Sequence, residues 1–364
     1  MNYALLVLIF VISVGVSYLL TPLMEKTAIK TGILSIPEER NVHTQPIPYL
    51  GGLAVYFAFV VSTLVVFLAS QQLRMESFDK ITGLLIGGTL IVILGLWDDI
   101  KNIKPIIKLS GQIGVALMLY GFGFRIELLT NPLLGGEMRL PLFLNIIFTV
   151  AWIIGLVNAM NLIDGLDGLA AGIAAIVGVT LTIIALHLNN YTSVFVLAAL
   201  AGSSLGFLRF NFHPARIFLG DTGSMFLGLI LASATLTGYQ HKSATAVVLL
   251  IPITALAIPI YDTFLAVIRR IFKTGSIFKA DKRHLHHRLL STSLKQSQIV
   301  LFIYLITIYL GIFAFLFVLI PDKYALILLI LLALLLFIME RAVVFIEKEI
   351  RLRGKLEPDK RKQE

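Results

Sequence analysis

An all-α polytopic membrane protein is what this sequence predicts, on three observations. Of its 364 residues, 58% are hydrophobic and only 14% charged, against about 45–50% apolar and about 25% charged in soluble domains. Mean hydropathy is +0.92. The apolar residues gather into runs long enough to cross ~30 Å of hydrocarbon, which takes about 20 residues of helix. Nor do they alternate apolar and polar over about 10 positions, as the strands of a membrane barrel would.

Eleven such runs can be followed in order. The first, about 3–23, has no basic region before it and no small-x-small cleavage site, so it reads as a retained span. The second, 50–70, follows a loop containing Pro48-Tyr-Leu-Gly-Gly52, and the third, 81–97, ends at Trp97-Asp98-Asp99. The fourth, 106–124, carries Lys108 and Gln112. Between it and the fifth, 142–158, the Asn-Pro and Gly-Gly pairs of Arg125–Leu140 suggest a small hairpin. The sixth and seventh are 167–186 and 192–210, and the eighth, 223–238, is short. The ninth, 245–268, contains Pro252 and Pro259 and so reads as a broken helix holding Asp262. The tenth and eleventh are 299–320 and 324–346. Residues 1–346 thus form a single integral membrane domain, and 347–364 a charged cytoplasmic tail.

The net charge of +9 is explained by orientation. With the N-terminus outside and the C-terminus cytoplasmic, 24 of the 30 Lys and Arg fall on the inner side, as the positive-inside rule requires. Charges spread along membrane edges argue against a nucleic-acid partner. With no cysteine, disulfides, thiolate metal sites and a cysteine nucleophile are excluded.

In that orientation the unusual polar residues share the cytoplasmic face. They are Arg40 and His43; Asp98, Asp99 and Lys108; Asn158, Asn161, Asp164 and Asp167; Asn211 to Ser224; and Arg283-His284-Leu-His286-His287-Arg288. Each has a plain reading. Asp98 and Asp99 could be loop acids balanced by Lys101 and Lys104, but at the end of an apolar helix adjacent carboxylates repel unless a cation relieves them. Asn158, Asn161 and Asp164 share one face if the helix continues, while Asp164 or Asp167 could cap the next helix. Gly165 and Gly168 allow close backbone approach to a ligand. Capping explains one of these acids, not two acids and two amides. Gly220-Asp221-Thr-Gly-Ser224 could be an anion-binding turn or an ordinary cap. The histidine run lacks cysteine partners and is flanked by arginines, which suits a phosphate better than zinc. His187, His213 and His241 read as satisfied or solvated.

Amide and carboxylate oxygens are the ligands a hard cation such as Mg²⁺ prefers. With basic groups and a glycine-lined pocket, they imply a Mg²⁺-dependent enzyme moving a phosphorylated group between a cytosolic donor and a membrane lipid. Five collinear motifs then bear a resemblance: Pro48–Gly52, Gly95–Asp99, Asn158–Ala170, Asn211–Ser224 and Asp281–Arg288. Together they make the chain similar to the polyprenyl-phosphate N-acetylhexosamine-1-phosphate transferases, glycosyltransferase family 4. The histidine run resembles the bacterial branch that uses UDP-N-acetylglucosamine and initiates wall teichoic acid synthesis.

The resemblance implies a reaction. Undecaprenyl phosphate attacks the β-phosphorus of UDP-N-acetylglucosamine, releasing UMP and leaving a diphosphate-linked sugar on the lipid. It implies Mg²⁺, or alternatively Mn²⁺, on Asn161 and Asp221. Asp98 would be base or covalent nucleophile, supported by Asp99, and Lys108 would meet diphosphate oxygens. Asn158, Asp164, Gly165, Leu166 and Asp167 would shape the nucleotide pocket. Arg283, His284, His286 and His287 would hold the sugar phosphate, with Arg40, His43, Asn211 and Asp262 as weaker candidates. It also implies a bacterial plasma-membrane location, contact with membrane lipids and a homodimer. A transporter should show mid-bilayer acids and repeated halves, and a degenerate scaffold should lack some acidic motifs; neither pattern is present.

Overall fold

The structure is a computed structural model and describes residues 3–37, 45–130, 137–237, 247–274, 285–290, 294–320 and, beyond these, 324, 327–328, 330–338, 341 and 344. Its helices are α1 (Tyr3–Thr31), α2 (Gly51–Ala69), α3 (Gln71–Lys101), α4 (Pro105–Gly121), α5 (Leu142–Ile163), α6 (Leu169–His187), α7 (Tyr191–Asn211), α8 (Gly220–Leu236), α9 (Val247–Ala255), α10 (Ala257–Thr274), α11 (Leu285–Leu290) and α12 (Gln296–Leu319). Helices close their backbone hydrogen bonds within one segment, which is what a bilayer demands of apolar sequence. Seven of the described helices, α1, α2, α3, α5, α6, α7 and α12, are long and apolar enough to cross a membrane, and α4 is a shorter apolar helix. The molecule is a multi-pass membrane protein.

The first eight expected runs each fall on one helix, and the ninth is broken as its prolines suggested. It stops at Ala255 and resumes at Ala257, giving α9 and α10. The third run begins earlier than expected. The Ser70 side chain accepts from Leu73 N (3.3 Å) and starts α3 ten residues before Ile81. The hairpin expected in Arg125–Leu140 is present as β3 (Leu128–Thr130) antiparallel to β4 (Glu137–Arg139). A second ribbon, β1 (Leu34–Ser35) with β2 (Ile47–Pro48), has no signature in the sequence. Of the eleventh run, 330–338 are helical, and the tail 347–364 lies outside the described residues.

At the centre stands α8. Every one of its residues is buried except Asp221. A helix apolar on all sides belongs in a core, so a single carboxylate left open at its first turn marks where the interior meets the polar face. α8 packs against α2, α3 and α5. Close approach is made possible by glycines: a Cβ on Gly95 would lie 2.6 Å from the Thr222 backbone, and one on Gly52 would lie 2.2 Å from Gly223 N. Deeper in, Phe226 meets Tyr56 and Phe59 edge-on at 5.5 and 5.3 Å. At the far end of α8, Lys80 Nζ donates to the Thr237 carbonyl (3.0 Å).

Backbone pairing stitches the first polar loop to the entry of α8. Phe218 N donates to Pro48 O (2.8 Å), Gly51 N to Phe218 O (3.0 Å) and Gly52 N to Leu219 O (2.9 Å). These bonds bring the Pro48–Gly52 motif against Gly220-Asp221 although about 170 residues separate them in the chain.

Candidate active site

Four helix ends meet at one end of the bundle: the C-terminal turns of α3 and α5 and the N-terminal turns of α4 and α8. Helix starts leave backbone N–H groups without intrahelical partners, and a carboxylate there is doubly favoured, by hydrogen bonds and by the helix dipole. For α8 that carboxylate comes from another helix. Asp99 Oδ1 accepts from Asp221 N (2.8 Å), and its Oδ2 accepts from Thr222 N (3.0 Å) and Thr222 Oγ1 (2.6 Å). The turn needs Gly220, whose φ of +71° suits glycine and whose added Cβ would lie 2.7 Å from Asp99 Oδ2. Asp221 is therefore not the cap of its own helix: α8 has no local side-chain cap. Asp99 supplies it, and the Asp221 carboxylate is left free to face inward.

Its neighbour in sequence turns the other way. Successive helical residues point about 100° apart, and Asp98 uses Oδ1 to accept from Ile103 N (2.9 Å) and Oδ2 to pair with Lys108 Nζ (2.9 Å). The repulsion expected of the pair is thus met by α8 N–H groups for one acid and by an ammonium for the other. Lys108, from the first turn of α4, also donates to Asn161 Oδ1 (3.1 Å) and contacts Asp221 Oδ2. Asn161 spends its amide nitrogen on Asp221 Oδ1 (2.7 Å) and Ser224 Oγ (2.9 Å). Asp98, Lys108, Asn161 and Asp221 are thereby brought together by four helices.

Asn158 lies one turn deeper and serves the scaffold. Its Nδ2 donates to Gln112 Oε1 (2.7 Å) and to Ile154 O (2.8 Å), tying α5 to the buried Gln112 of α4. Asp164 is not on that helical face, because α5 ends at Ile163 and Asp164 has ψ of 53°. Neither Asp164 nor Asp167 caps α6; its cap position is Gly168, with φ of +80° and no side-chain bond. Burial pushes the Asp164 carboxyl well above the ordinary carboxylate range, helped by the negative charges of Asp221, Asp99 and Asp167. The residue still keeps part of its surface open. Asp167 Oδ2 accepts from Ala215 N (3.1 Å) and meets His213 Nδ1 (2.7 Å), so His213 is satisfied as expected. Gly165 is exposed, whereas the Leu166 side chain is part of the apolar core.

Asn211 is structural in this arrangement. Fully enclosed, it accepts from Gly168 N (3.0 Å) and donates to Ile217 O (2.9 Å), locking the α5–α6 turn to the turn before α8. Asp262 is buried in α10. Arg40, His43, Arg283, His284 and His241 lie outside the described residues, while His286 and His287 belong to α11.

Two residues at this centre had no role assigned from sequence. Ser224 bonds Asn161 directly. Tyr49 has its phenol pKa pushed up, first by burial and then by the negative charges of Asp99, Asp221, Asp164 and Asp98. The ring is fixed edge-on to Phe218 at 6.0 Å. Tyr49 stands inside the Pro48–Gly52 motif, so the motif held the signal.

The donor set can be judged against a hard cation. Oxygens of Asp98, Asp221 and Asn161 converge on one positive charge, the Lys108 ammonium. Two carboxylates and an amide are suitable ligands for Mg²⁺. Among the described residues, no three His, Cys, Asp or Glu side chains form a metal-holding group by themselves.

Fold and site together define a membrane-embedded helical protein whose polar centre is built from the ends of crossing helices. The sequence pattern of Glycosyl transferase family 4 matches residues 81–239. That span holds every residue of the Asp98–Lys108–Asn161–Asp221 cluster. The chain is 38% identical over 306 residues to the "Probable undecaprenyl-phosphate N-acetylglucosaminyl 1-phosphate transferase" of Bacillus subtilis (strain 168), covering 83% of this chain and 82% of that protein. It is 37% identical over 323 residues to the decaprenyl-phosphate N-acetylglucosaminephosphotransferase of Mycobacterium leprae, covering 82% and 80%. It is 31% identical over 303 residues to the phospho-N-acetylmuramoyl-pentapeptide-transferase of Thermoanaerobacter sp. (strain X514), covering 78% and 88%. The chain belongs to glycosyl transferase family 4, and with its seven apolar helices it is a multi-pass protein of the bacterial plasma membrane.

Proposed function

We propose that this protein transfers N-acetylglucosamine 1-phosphate from UDP-N-acetylglucosamine to undecaprenyl phosphate, at the cytoplasmic face of the membrane. An oxygen of the lipid phosphate bonds to the β-phosphorus of the donor; the bond from that phosphorus to the bridging oxygen breaks, and UMP leaves with that oxygen. The observation that carries the reading is the convergence of Asp98, Lys108, Asn161 and Asp221 at four helix ends, within hydrogen-bond reach of one another. Phosphoryl transfer is achieved by positioning and charge stabilisation more than by covalent chemistry, and this cluster offers both. The similarity to transferases named for polyprenyl phosphate and N-acetylglucosamine supports the donor and acceptor.

Asp98, with one oxygen on Lys108 and the other on a backbone N–H, is oriented to take a proton from a lipid phosphate. Asp99 keeps α8 in register and so aims Asp221. Mg²⁺, or Mn²⁺ in its place, would be held by Asn161 and Asp221, and when bound it would neutralise the diphosphate and the departing UMP. Lys108 would meet diphosphate oxygens. The turn of Asp164, Gly165, Leu166 and Asp167 would receive the uridine, with Asn158 bracing it from below. Arg283, His284, His286 and His287 would hold the sugar phosphate. The product would feed cell-wall glycan synthesis, teichoic acid in particular. The protein would work inside the bilayer with the N-terminus outside, through eleven spans, as a homodimer.

Purified protein with undecaprenyl phosphate and radiolabelled UDP-N-acetylglucosamine tests this, with UMP release followed alongside. Label on the lipid with stoichiometric UMP is expected, abolished by chelation and by Asp221→Ala. Folded protein that labels no lipid from any UDP-N-acetylhexosamine would overturn the reading.

A further inference from the structure

We infer that the Lys108 ammonium is a resident placeholder for the divalent cation, occupying the oxygen triad in the metal-free protein and leaving it when the ion arrives. The inference rests on the metal site proposed above. The Lys108 ammonium donates to Asn161 Oδ1 and Asp221 Oδ2 and forms an ion pair with Asp98 Oδ2. The three come from three different helices, α3, α5 and α8, and the lysine from a fourth.

The need for such a placeholder follows from charge. Asp98 and Asp221 share the cluster with Asp99, and the carboxylates would repel one another with no cation among them. Lysine is suited to the task because its charge is compact and its four-carbon stem is flexible. A dication held by Asn161 and Asp221 would take two of these acceptors and repel the ammonium, leaving Asp98 as the base. The stem then carries the charge out of the triad, toward any diphosphate lying beside it. Loading the ion and freeing a phosphate-binding cation are one event. Lys108 is in this sense a positioning residue that competes with the metal before it serves the substrate.

Full-length protein in detergent, without substrate, is titrated with Mn²⁺, and the free ion is read by electron paramagnetic resonance. Lys108→Met is expected to bind Mn²⁺ about tenfold or more tightly than wild type, within the usual range of site-to-site coupling. It should also unfold at lower temperature in chelator and regain that loss when Mn²⁺ is added. Equal or weaker Mn²⁺ binding by Lys108→Met, with lowered thermal stability, means a merely structural lysine and overturns the inference. As a check independent of that variant, wild-type Lys108 is labelled with an amine-reactive reagent and quantified by mass spectrometry. Labelling that rises with Mn²⁺ supports release from the triad; labelling unchanged or reduced at saturating Mn²⁺ overturns it. If neither protein binds Mn²⁺ while wild type still transfers label in chelator, the metal site falls and the placeholder with it. If both bind equally, the placeholder alone falls.

Discussion

At the α3–α8 end, Asp98, Asp99 and Asp221 are held by groups from other helices, Asp98 also by Ile103 N just beyond α3; in the α5–α6 turn, Asp167 is held by the loop before α8, and Asp164 has burial and like charge against it. The first region spends its hydrogen bonds on aiming three acids in different directions. The second spends them on closing a loop, with Asn211 accepting from Gly168 N and donating to Ile217 O, and Asp167 reaching across to His213 and Ala215. Similar residues thus do different work. A carboxylate held where helix ends converge is aimed at a shared centre; one held by loop groups is a staple.

The largest effect expected is from Asp221→Asn. The swap keeps the shape of the one α8 residue that is not buried, so thermal stability should stay near wild type while label transfer falls about 10³-fold, the size of losing one preorganised electrostatic contact. Folded protein with near-normal transfer would break the distinction between the two regions.

Asp98→Asn and Asp99→Asn sharpen it within a single dipeptide. Removing a general base costs 10²–10⁴-fold in rate, so Asp98→Asn should lose about 10²-fold or more in kcat with little change in unfolding temperature. Asp99→Asn weakens the charge-assisted bonds to the first turn of α8, and about 1–3 kcal/mol of stability should go with them. Rate and thermal-shift measurements on the two variants should show opposite profiles; identical profiles would mean that the adjacent acids do one job.

In the other region, Asn211→Ala should cost about 1–3 kcal/mol, because it leaves the buried Gly168 N–H and Ile217 carbonyl unpaired. A looser turn should raise KM for the UDP-sugar more than it lowers kcat, which steady-state kinetics would separate.

The smallest effect is one of pH. The folded Asp164 carboxyl titrates above its ordinary range, so its protonated form is favoured by folding. Its contribution to stability is fully present below the ordinary carboxylate pKa and is lost as pH rises through the folded value. Asp164→Asn cannot ionise. Its unfolding temperature should exceed that of wild type at pH 8 and approach it below pH ~4, the ordinary range for Asp. A difference independent of pH would show that the Asp164 carboxyl is not destabilised by burial and its acidic neighbours.

Much of this was legible in the chain. Apolar runs located the helices because hydrocarbon thickness sets their length, and Pro252 and Pro259 announced the break between α9 and α10. The four residues that converge, Asp98, Lys108, Asn161 and Asp221, were each conspicuous as polar groups at the edges of apolar runs. Their individual tasks were not legible. Whether Asp221 capped its own helix or Asp99 capped it from a distance depends on how closely α3 approaches α8, and sequence spacing carries no such distance. Asn211 looked like a ligand for the same reason: an amide in a motif reads alike whether it faces a substrate or a backbone.

By itself the sequence determined that this is a helical membrane protein with its ionisable groups at helix ends, because the cost of burying charge and unpaired backbone in hydrocarbon is set by local composition. Tertiary structure alone decided which of those groups meet. Glycines at 52, 95 and 223 let three helices approach within backbone contact, and only that approach puts the ammonium of Lys108 among oxygens from three other helices.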